Sequence, residues 1–249
     1  MIIDGKKIAE KIYKENHGIH RYGRYLAIVS NLEDPASQSF IAQKKKAASR
    51  LGVEIRESAY SSDTFKRFSV DTMCGGMVLQ LPLAAGIDAD EIVQKIPPRK
   101  DVDNLTTKAS VPAPAVAVVE AILSEVRPPQ TEAKPLKDVA IIGQGRLVGR
   151  PVAKWAQGAG AEKVSVYNIG FNPNDLKTAD LVVSGAGATH IFSAEHLKVG
   201  AIVIDFGYPG DFDATGAEDK NIAYTPTPGG TGPILVACLM RNFCDLNRI

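Results

Sequence analysis

The 249-residue sequence is poor in cysteine, in excess charge of either sign and in long apolar runs, and each shortage excludes a class of protein. Cys74, Cys238 and Cys244 form no CxxC pair and no zinc spacing with the histidines, so we expect free thiols, a reducing compartment and no metal site. The 29 basic and 28 acidic residues leave a net charge of +1, which argues against a surface for nucleic acid or anionic membrane. No apolar run is long enough to span a bilayer, and the first residues do not resemble a signal peptide. We therefore expect a cytoplasmic protein that binds neither nucleic acid nor membranes.

Apolar segments of strand length alternate with helical patterns along the chain, which is typical of an α/β fold with parallel sheets. Helices are predicted after Asp4 and over 36–51, with Ser37 as a candidate N-cap of the second helix. Strands are predicted at 25–29, 53–56, 76–81, 138–142, 164–167, 181–185 and 201–205. A charged, proline-rich stretch at 127–137 separates the two groups of strands and is predicted to be a linker.

A glycine-rich turn, Gly143-x-Gly145-x-x-x-Gly149, lies between a predicted strand and a predicted helix. Glycines in this setting let a dinucleotide pyrophosphate approach the backbone and rest on the helix N-terminus. The alternative is a turn whose glycines serve only helix–sheet packing. The segment that ends the next strand, around Asn168, carries neither the acidic residue that selects NAD nor a cation for a 2′-phosphate. The pattern therefore predicts dinucleotide binding and leaves the choice between NAD and NADP open.

Three segments carry polar side chains that are candidates for chemistry. Lys44 lies four residues after Phe40, so the two share a helix face, although a run of lysines is more often a solvated stripe. Gln80 ends a buried strand, where ligand sites of parallel sheets lie, or else it satisfies loop backbone. Asp101 and Asp103 beside Lys100 could bind N–H groups of a heterocycle, or form a solvated turn.

The loop Pro226-Thr227-Pro228-Gly229-Gly230-Thr231-Gly232-Pro233 combines stiff prolines with bare glycine backbone and runs into an apolar helix. Such a loop is suited to gripping a flat ligand with main-chain groups at a helix N-terminus. The alternative is an ordinary tight turn before a C-terminal helix.

Taken together, these segments resemble the bifunctional methylenetetrahydrofolate dehydrogenase/methenyltetrahydrofolate cyclohydrolase family. The matching segments come in the family's order and cover nearly the whole chain: Ile2–Gly5, Pro35–Lys44, Gly76–Leu83, Lys100–Asp103, Val148–Pro151 and Pro226–Pro233. Any one of them could arise by chance, whereas six in order are specific.

The resemblance implies a two-domain α/β enzyme. Residues 1–115 and 232–249 would form the catalytic, folate-binding domain, and 116–231 a Rossmann-type domain that binds NADP or NAD, with NADP slightly favoured. The C-terminal helix would return to the first domain, and the chain would form a homodimer. The implied chemistry is oxidation of 5,10-methylenetetrahydrofolate to the methenyl form, followed by hydrolysis to 10-formyltetrahydrofolate.

The same resemblance implies roles for individual residues. Lys44 matches the catalytic lysine, Gln80 the glutamine that supports it, and Asp103 the aspartate that binds the pterin. Residues matching the folate-binding positions are Phe40, Pro228, Gly229 and Gly230. Residues matching the cofactor-binding positions are Gly143, Gln144, Gly145, Arg146, Val148, Gly149, Asn168 and Thr231.

The chain also departs from the family pattern. Phe40 replaces a tyrosine, so the ring can stack on a folate but the hydroxyl is missing. Asn104 replaces a glycine after Asp103, and Ile169 replaces a serine near the 2′-phosphate of NADP. The loss of the hydroxyl leaves open two alternatives to a bifunctional enzyme: a dehydrogenase with impaired hydrolysis, or a binding protein without catalysis.

Overall fold

The computed structural model describes residues 1–16, 23–127 and 136–248, so most of the predicted linker at 127–137 lies outside the described residues. Within these ranges the chain forms seven α-helices and ten β-strands. The helices are α1 (Gly5–Asn16), α2 (Pro35–Arg50), α3 (Ser62–Val70), α4 (Ala89–Gln94), α5 (Pro114–Val126), α6 (Gly149–Gly158) and α7 (Thr231–Leu246). The strands are β1 (Tyr25–Ser30), β2 (Ile55–Ala59), β3 (Cys74–Leu79), β4 (Asp138–Ile142), β5 (Lys163–Tyr167), β6 (Leu181–Ser184), β7 (Phe192–Ser193), β8 (Ile202–Asp205), β9 (Phe212–Asp213) and β10 (Ala223–Tyr224).

The chain divides into two compact units. The three-stranded unit comprises Lys11–Pro114 and Val236–Ile249, and the five-stranded unit comprises Met1–Glu10 and Ala115–Leu235. Each unit is named after its largest sheet and is described separately. None of the helices in the described ranges is both long enough and apolar enough to cross a membrane.

The three-stranded unit is built on a parallel sheet with the order β2-β1-β3. All residues of β1 and β3 are buried, which explains their nearly continuous apolar sequences. One face of the sheet packs against α3, α4 and the segment after it through Tyr25, Ala27, Val29, Phe65, Phe68, Met77, Leu79, Ile92, Val93 and Ile96. Because β1 and β3 are neighbours, their carboxyl ends meet, and the Gln80 N–H donates to the Val29 carbonyl at 2.8 Å.

Three local features of this unit differ from the sequence prediction. The N-cap of α2 is Asp34, whose carboxylate accepts the Ser37 N–H at 2.9 Å, so the assignment of Ser37 as the cap is wrong. Strand β2 begins at Ile55 because the Val53 N–H still closes the end of α2 on the Ala48 carbonyl. Helix α3 was not predicted; Ser61 caps it, and two phenylalanines anchor it to the sheet.

The five-stranded unit is a parallel sheet with the order β10-β8-β6-β4-β5, and a two-stranded parallel pair, β7-β9, stands beside it. Strand order reverses at β4, because β5 lies on one side of it and β6 on the other. In open parallel sheets this reversal is the point outside which ligands bind. The chain's first residues add to the opposite edge, where the Ile3 N–H donates to the Tyr224 carbonyl at 2.8 Å.

Lys100 closes the C-terminal end of α3. Its buried ammonium donates to the carbonyls of Phe68, Ser69 and Asp71 at 2.8, 2.9 and 2.7 Å. Unpaired carbonyls at a helix end need donors, and here one side chain from a distant loop supplies them. Lys100 is therefore a structural residue, and burial lowers its pKa.

We expect Lys100→Met to destabilise the protein by about 3 kcal/mol, because three carbonyls would lose a charged donor in a buried setting. Urea unfolding measures this difference. The control is Lys95→Met, which removes an exposed lysine paired with Glu91 and should leave the unfolding midpoint close to that of the parent. Equal midpoints for Lys100→Met and the parent would contradict the structural role.

Candidate active site

Lys44 and Gln80 lie in direct contact in the three-stranded unit. The Lys44 Nζ donates to the Gln80 Oε1 at 2.6 Å, and the Gln80 Nε2 donates to the Leu81 carbonyl at 3.2 Å. The second bond turns the amide so that its oxygen faces the lysine. Helix α2 carries Lys44, and the end of β3 carries Gln80, so the contact joins a helix to the carboxyl edge of the sheet.

Lys44 and Asp103 interact electrostatically, and burial biases both toward their neutral forms. Burial lowers the pKa of Lys44, and the charge of Asp103 only partly opposes this effect. Burial likewise raises the pKa of Asp103 to about 6, while Lys44 acts in the lowering direction and Asp101 in the raising direction. A lysine with a lowered pKa holds a larger fraction of free amine near neutral pH, which is the form that accepts a proton.

The two carboxylates of the 101–103 loop have different surroundings. Asp101 is fully buried, and its oxygens accept the N–H groups of Leu105 and Thr106 at 3.0 and 2.8 Å and the Thr106 hydroxyl at 2.7 Å. Asp103 makes no side-chain hydrogen bond to any other residue in the described ranges. Of the two predicted candidates, only Asp103 has acceptor oxygens left for a ligand.

Asn104 adopts a left-handed backbone conformation, with a φ of 50°. Asparagine tolerates this region better than other residues with a side chain, so Asn104 can adopt a conformation that glycine also adopts. Its Oδ1 also accepts the Ala109 N–H at 3.2 Å, so this side chain helps to close the loop.

Phe40 lies one turn before Lys44 on α2 and is 47% exposed. A ring with about half its surface free leaves an apolar area beside the amine. The ring carries no hydroxyl, so the side chain provides stacking area but no proton or hydrogen bond.

The loop at 226–233 belongs to the five-stranded unit, and close backbone packing holds it. The Gly230 N–H donates to the Pro226 carbonyl at 2.9 Å, and Gly229 has a φ of +98°. A Cβ on Gly5 would lie 1.8 Å from the Gly230 carbonyl oxygen, so the N-terminus of α1 has room only for glycine there. Pro228 is exposed and Gly229 half-buried, which leaves part of the loop accessible to a ligand.

Two buried carboxylates, Asp205 at the end of β8 and Asp211 after it, hold the loops at the carboxyl edge of the five-stranded sheet. The sequence pattern did not indicate either of them as functional. Asp205 accepts the N–H groups of Gly207, Asp211 and Phe212, and its own carbonyl accepts the Thr231 hydroxyl at 2.8 Å. Asp211 accepts N–H groups of the loop that follows β6. Burial raises the pKa of Asp205 to about 6. The available signal was an aspartate directly ending an apolar strand.

A cavity of about 240 Å³ adjoins Asp205. It is lined in part by His190, Asp205, Tyr224 and Thr227. The cavity thus borders the start of the 226–233 loop and the hydrogen-bond network that fixes Thr231. No group of three or more His, Cys, Asp or Glu in the described ranges could hold a metal ion.

The glycine turn follows β4, at the point where strand order reverses. Gly143 has a φ of 96°, and a Cβ on Gly149 would lie 2.0 Å from the Gly143 carbonyl oxygen. Gly145 is exposed, with open space where a Cβ would be, so its backbone is accessible. The Arg150 N–H donates to the Gly145 carbonyl at 3.1 Å.

The sequence-predicted cofactor residues divide into three places in this unit. The turn and the start of α6 bring together Gly143, Gln144, Gly145, Arg146, Val148 and Gly149. Asn168 is exposed just beyond β5, the strand adjacent to β4, whereas Thr231 is buried at the start of α7. The turn fits a dinucleotide pyrophosphate, because bare backbone and a helix N-terminus coincide at the reversal of strand order.

A Rossmann-type sheet with this turn, together with a second parallel α/β unit carrying a buried amine, defines a two-domain dinucleotide-dependent enzyme. Two family models match: tetrahydrofolate dehydrogenase/cyclohydrolase, catalytic domain, over residues 3–103, and its NAD(P)-binding domain over residues 112–248. The chain belongs to the tetrahydrofolate dehydrogenase/cyclohydrolase family.

Curated relatives and solved structures agree with this assignment. The bifunctional protein FolD of Methanoculleus marisnigri is 33% identical over 97% of this chain and 94% of the relative. That of Lactobacillus delbrueckii subsp. bulgaricus is 30% identical over 99% of this chain and 97% of the relative. The crystal structure of the bifunctional enzyme FolD of Campylobacter jejuni has a TM-score of 0.88 and 27% identity, and covers 100% of this chain and 99% of its own. The Trypanosoma brucei FolD, complexed with NADP cofactor and inhibitor, has a TM-score of 0.85 and 25% identity, and covers 99% and 96%.

These comparisons confirm the resemblance stated from the sequence. They also confirm the α/β class with two domains, the dehydrogenase and cyclohydrolase activities, and a nicotinamide dinucleotide as cofactor. The particular site residues stay predictions.

We expect Gly149→Ala to distort the glycine turn, because the added Cβ would collide with the Gly143 carbonyl oxygen. Stability should fall by about 2 kcal/mol and dinucleotide affinity by at least about tenfold. Thermal unfolding and a fluorescence titration with NADP and NAD measure the two effects. Gly158→Ala is the matched control within α6, because nothing lies near its added Cβ; a similar loss in both variants would refute this account of the turn.

Proposed function

We propose that this enzyme oxidises 5,10-methylenetetrahydrofolate and hydrolyses the methenyl product at a site built on Lys44, Gln80 and Asp103. The observation that carries the proposal is the 2.6 Å hydrogen bond from a lysine with a lowered pKa to an amide oxygen at a strand end. Binding alone would not require a desolvated amine held in this way.

The two domains have separate tasks in this proposal. Residues 1–115 and 232–249 bind the folate, and residues 116–231 bind the dinucleotide. Pro228, Gly229 and Gly230 of the 226–233 loop bind folate through their backbone groups. The enzyme acts in the cytoplasm as a homodimer.

The glycine turn holds the dinucleotide through backbone N–H groups at the start of α6. When bound, the oxidised nicotinamide accepts a hydride from the methylene carbon that bridges N5 and N10. Arg146 and Arg150 are the cations of the glycine turn and the start of α6, and Ile169 adds no polar group near a 2′-phosphate, so these residues do not choose between NADP and NAD. The choice between the two dinucleotides is an outcome of the titration described above.

Hydrolysis needs a base that stays unprotonated next to a cation. The methenyl product is positively charged, so repulsion adds to burial in keeping Lys44 as a neutral amine. Water adds to the methenyl carbon, and one of its protons passes to the Lys44 Nζ. The bond from this carbon to N5 then breaks as N5 takes the second proton, and the oxygen becomes the formyl carbonyl. Lys44 releases its proton to solvent, which completes the balance.

Gln80 and Asp103 support this step in different ways. The Gln80 Oε1 fixes the position of the amine through the observed hydrogen bond. Asp103, whose pKa is about 6, is mostly ionised at neutral pH, and its carboxylate can accept N–H groups of the pterin. Its negative charge also favours the cationic intermediate.

A second function, a dehydrogenase with impaired hydrolysis, is favoured by one observation. Phe40 offers an exposed ring and no hydroxyl beside the amine. If the hydrolysis needs a hydrogen bond from this position, the methenyl product accumulates.

Lys44→Met should abolish hydrolysis while leaving part of the dehydrogenase activity, because the base is lost and the hydride step does not use it. Mixing the protein with 5,10-methylenetetrahydrofolate and NADP or NAD, and recording reduced cofactor and methenyl absorbance, separates the two steps. The control is Lys46→Met, an exposed lysine on the same helix, which should behave as the parent. Equal rates of methenyl decay in Lys44→Met and the parent would remove Lys44 from the mechanism.

Phe40→Tyr should raise the rate of methenyl decay relative to cofactor reduction by about tenfold, because it adds one hydrogen-bonding group at the reacting site. The same coupled assay gives both rates. Phe40→Leu, which removes the aromatic face, should instead raise KM for the folate. A parent enzyme that already hydrolyses methenyl as fast as Phe40→Tyr would show that the hydroxyl is dispensable in this chain.

A further inference from the structure

Asn242 joins α7 to the loop that carries Asp103. It is fully buried, and its Nδ2 donates to the carbonyls of Val102 and Pro112, each at 2.8 Å. Val102 immediately precedes Asp103, and Pro112 lies where the chain leaves this loop for α5. One amide therefore holds both ends of the segment between residues 102 and 112.

The buried amide of Asn242 lowers the stability of the protein in one respect. Its Oδ1 is buried and has no hydrogen-bond partner in the described ranges. A buried acceptor without a partner destabilises a protein, so an apolar residue would avoid that loss. The same replacement would leave two carbonyls without their donor. The feature that an apolar side chain could not reproduce is thus the pair of hydrogen bonds to the loop.

The rest of the loop is closed internally. The Asp101 carboxylate holds Leu105 and Thr106, and the Asn104 Oδ1 accepts the Ala109 N–H. These bonds shape the loop but do not attach it to the helix. Asn242 makes the attachment next to Asp103, through the carbonyl of the preceding residue.

We infer that Asn242 is a positioning residue for Asp103, which it holds in place for the folate by fixing the Val102 and Pro112 carbonyls. The inference rests on the proposed role of Asp103 in binding the pterin. Loss of the two hydrogen bonds would let the loop move and expose Asp103 to water. The folate would then bind more weakly, whereas dinucleotide binding in the five-stranded unit would not change.

Asn247 provides a matched control on the same chain segment. Its Nδ2 also donates to two carbonyls, those of Gly75 and Phe243 at 3.0 and 2.6 Å, and it is also buried. Neither carbonyl belongs to the 102–112 loop. Asn247→Leu removes this pair of bonds and also the bond that the Asn247 Oδ1 accepts from the Arg24 Nη1 at 3.0 Å. It should therefore cost at least as much stability as Asn242→Leu without moving Asp103.

The experiment compares Asn242→Leu, Asn247→Leu and Asp103→Asn in the dehydrogenase direction between pH 5 and 8, with KM for 5,10-methylenetetrahydrofolate and for the dinucleotide measured separately. We expect Asn242→Leu to raise KM for the folate by about tenfold, with KM for the dinucleotide within about twofold of the parent. The charged groups that influence Asp103 are Lys44 on α2 and Asp101 on its own loop, and both remain in the variant.

The pH dependence provides a readout that a loss of stability alone would not change. Folate binding by the parent should improve as pH rises through about 6, where Asp103 ionises. In Asn242→Leu this inflection should move to lower pH, because a hydrated carboxylate ionises more easily. In Asn247→Leu it should stay near 6. If Asn242→Leu does not fold, Asn242→Ser replaces it, because this side chain adds no charge and can donate only one hydrogen bond.

The outcomes distinguish the inference from the function on which it rests. If Asp103→Asn leaves KM for the folate unchanged, the proposed role of Asp103 fails. In another outcome, Asp103→Asn raises KM for the folate, but the Asn242 and Asn247 variants have the same KM for the folate and the same pH inflection of folate binding. That outcome overturns the inference about Asn242 and leaves the role of Asp103 in place. A raised folate KM with a displaced inflection in the Asn242 variant alone supports it.

Discussion

The site in the three-stranded unit depends on one constraint: an amine is biased toward its neutral form while it is held in place. Burial provides the first condition, because water no longer solvates the ammonium, and the Gln80 amide provides the second through a 2.6 Å hydrogen bond. Asp103 sits close enough to act on Lys44 electrostatically, yet its own burial limits its charge. This balance suits the proposed hydrolysis of a cationic folate intermediate, since a fully charged lysine would repel the intermediate and could not accept a proton.

Residues of the same type have different tasks within the three-stranded unit. The Lys100 ammonium donates to three carbonyls at the end of α3 and has a structural task, whereas the Lys44 Nζ donates to one amide oxygen. The Asp101 carboxylate accepts N–H groups of its loop, whereas the Asp103 carboxylate accepts no hydrogen bond within the described ranges, which agrees with its proposed role toward the pterin. In each pair the hydrogen-bond partners decide the task, because a side chain saturated by backbone groups has no capacity left for substrate.

Glycine is required for the same reason at two places in the five-stranded unit. A Cβ on Gly149 would reach the Gly143 carbonyl, and a Cβ on Gly5 would reach the Gly230 carbonyl. The first contact forms the turn at the start of α6, and the second fixes the loop before α7. Both predicted ligand-binding loops are thus shaped by backbone in close contact with backbone, which leaves their outer N–H and carbonyl groups available.

The sequence by itself determined the alternation of strands and helices, the glycine turn after β4, the family and the candidates Lys44, Gln80 and Asp103, because periodicity and motif order are local properties of the chain. It did not predict α3, the Asp34 cap, the buried Asp205 and Asp211, or the amide of Asn242. Only the tertiary structure decided these, since each depends on partners distant in sequence: Lys100 lies about thirty residues from the carbonyls it caps, and Asn242 lies 140 residues from the Val102 carbonyl. The pKa values of Lys44 and Asp103 belong to the same class, because burial is a property of the packed chain and no run of neighbouring residues encodes it.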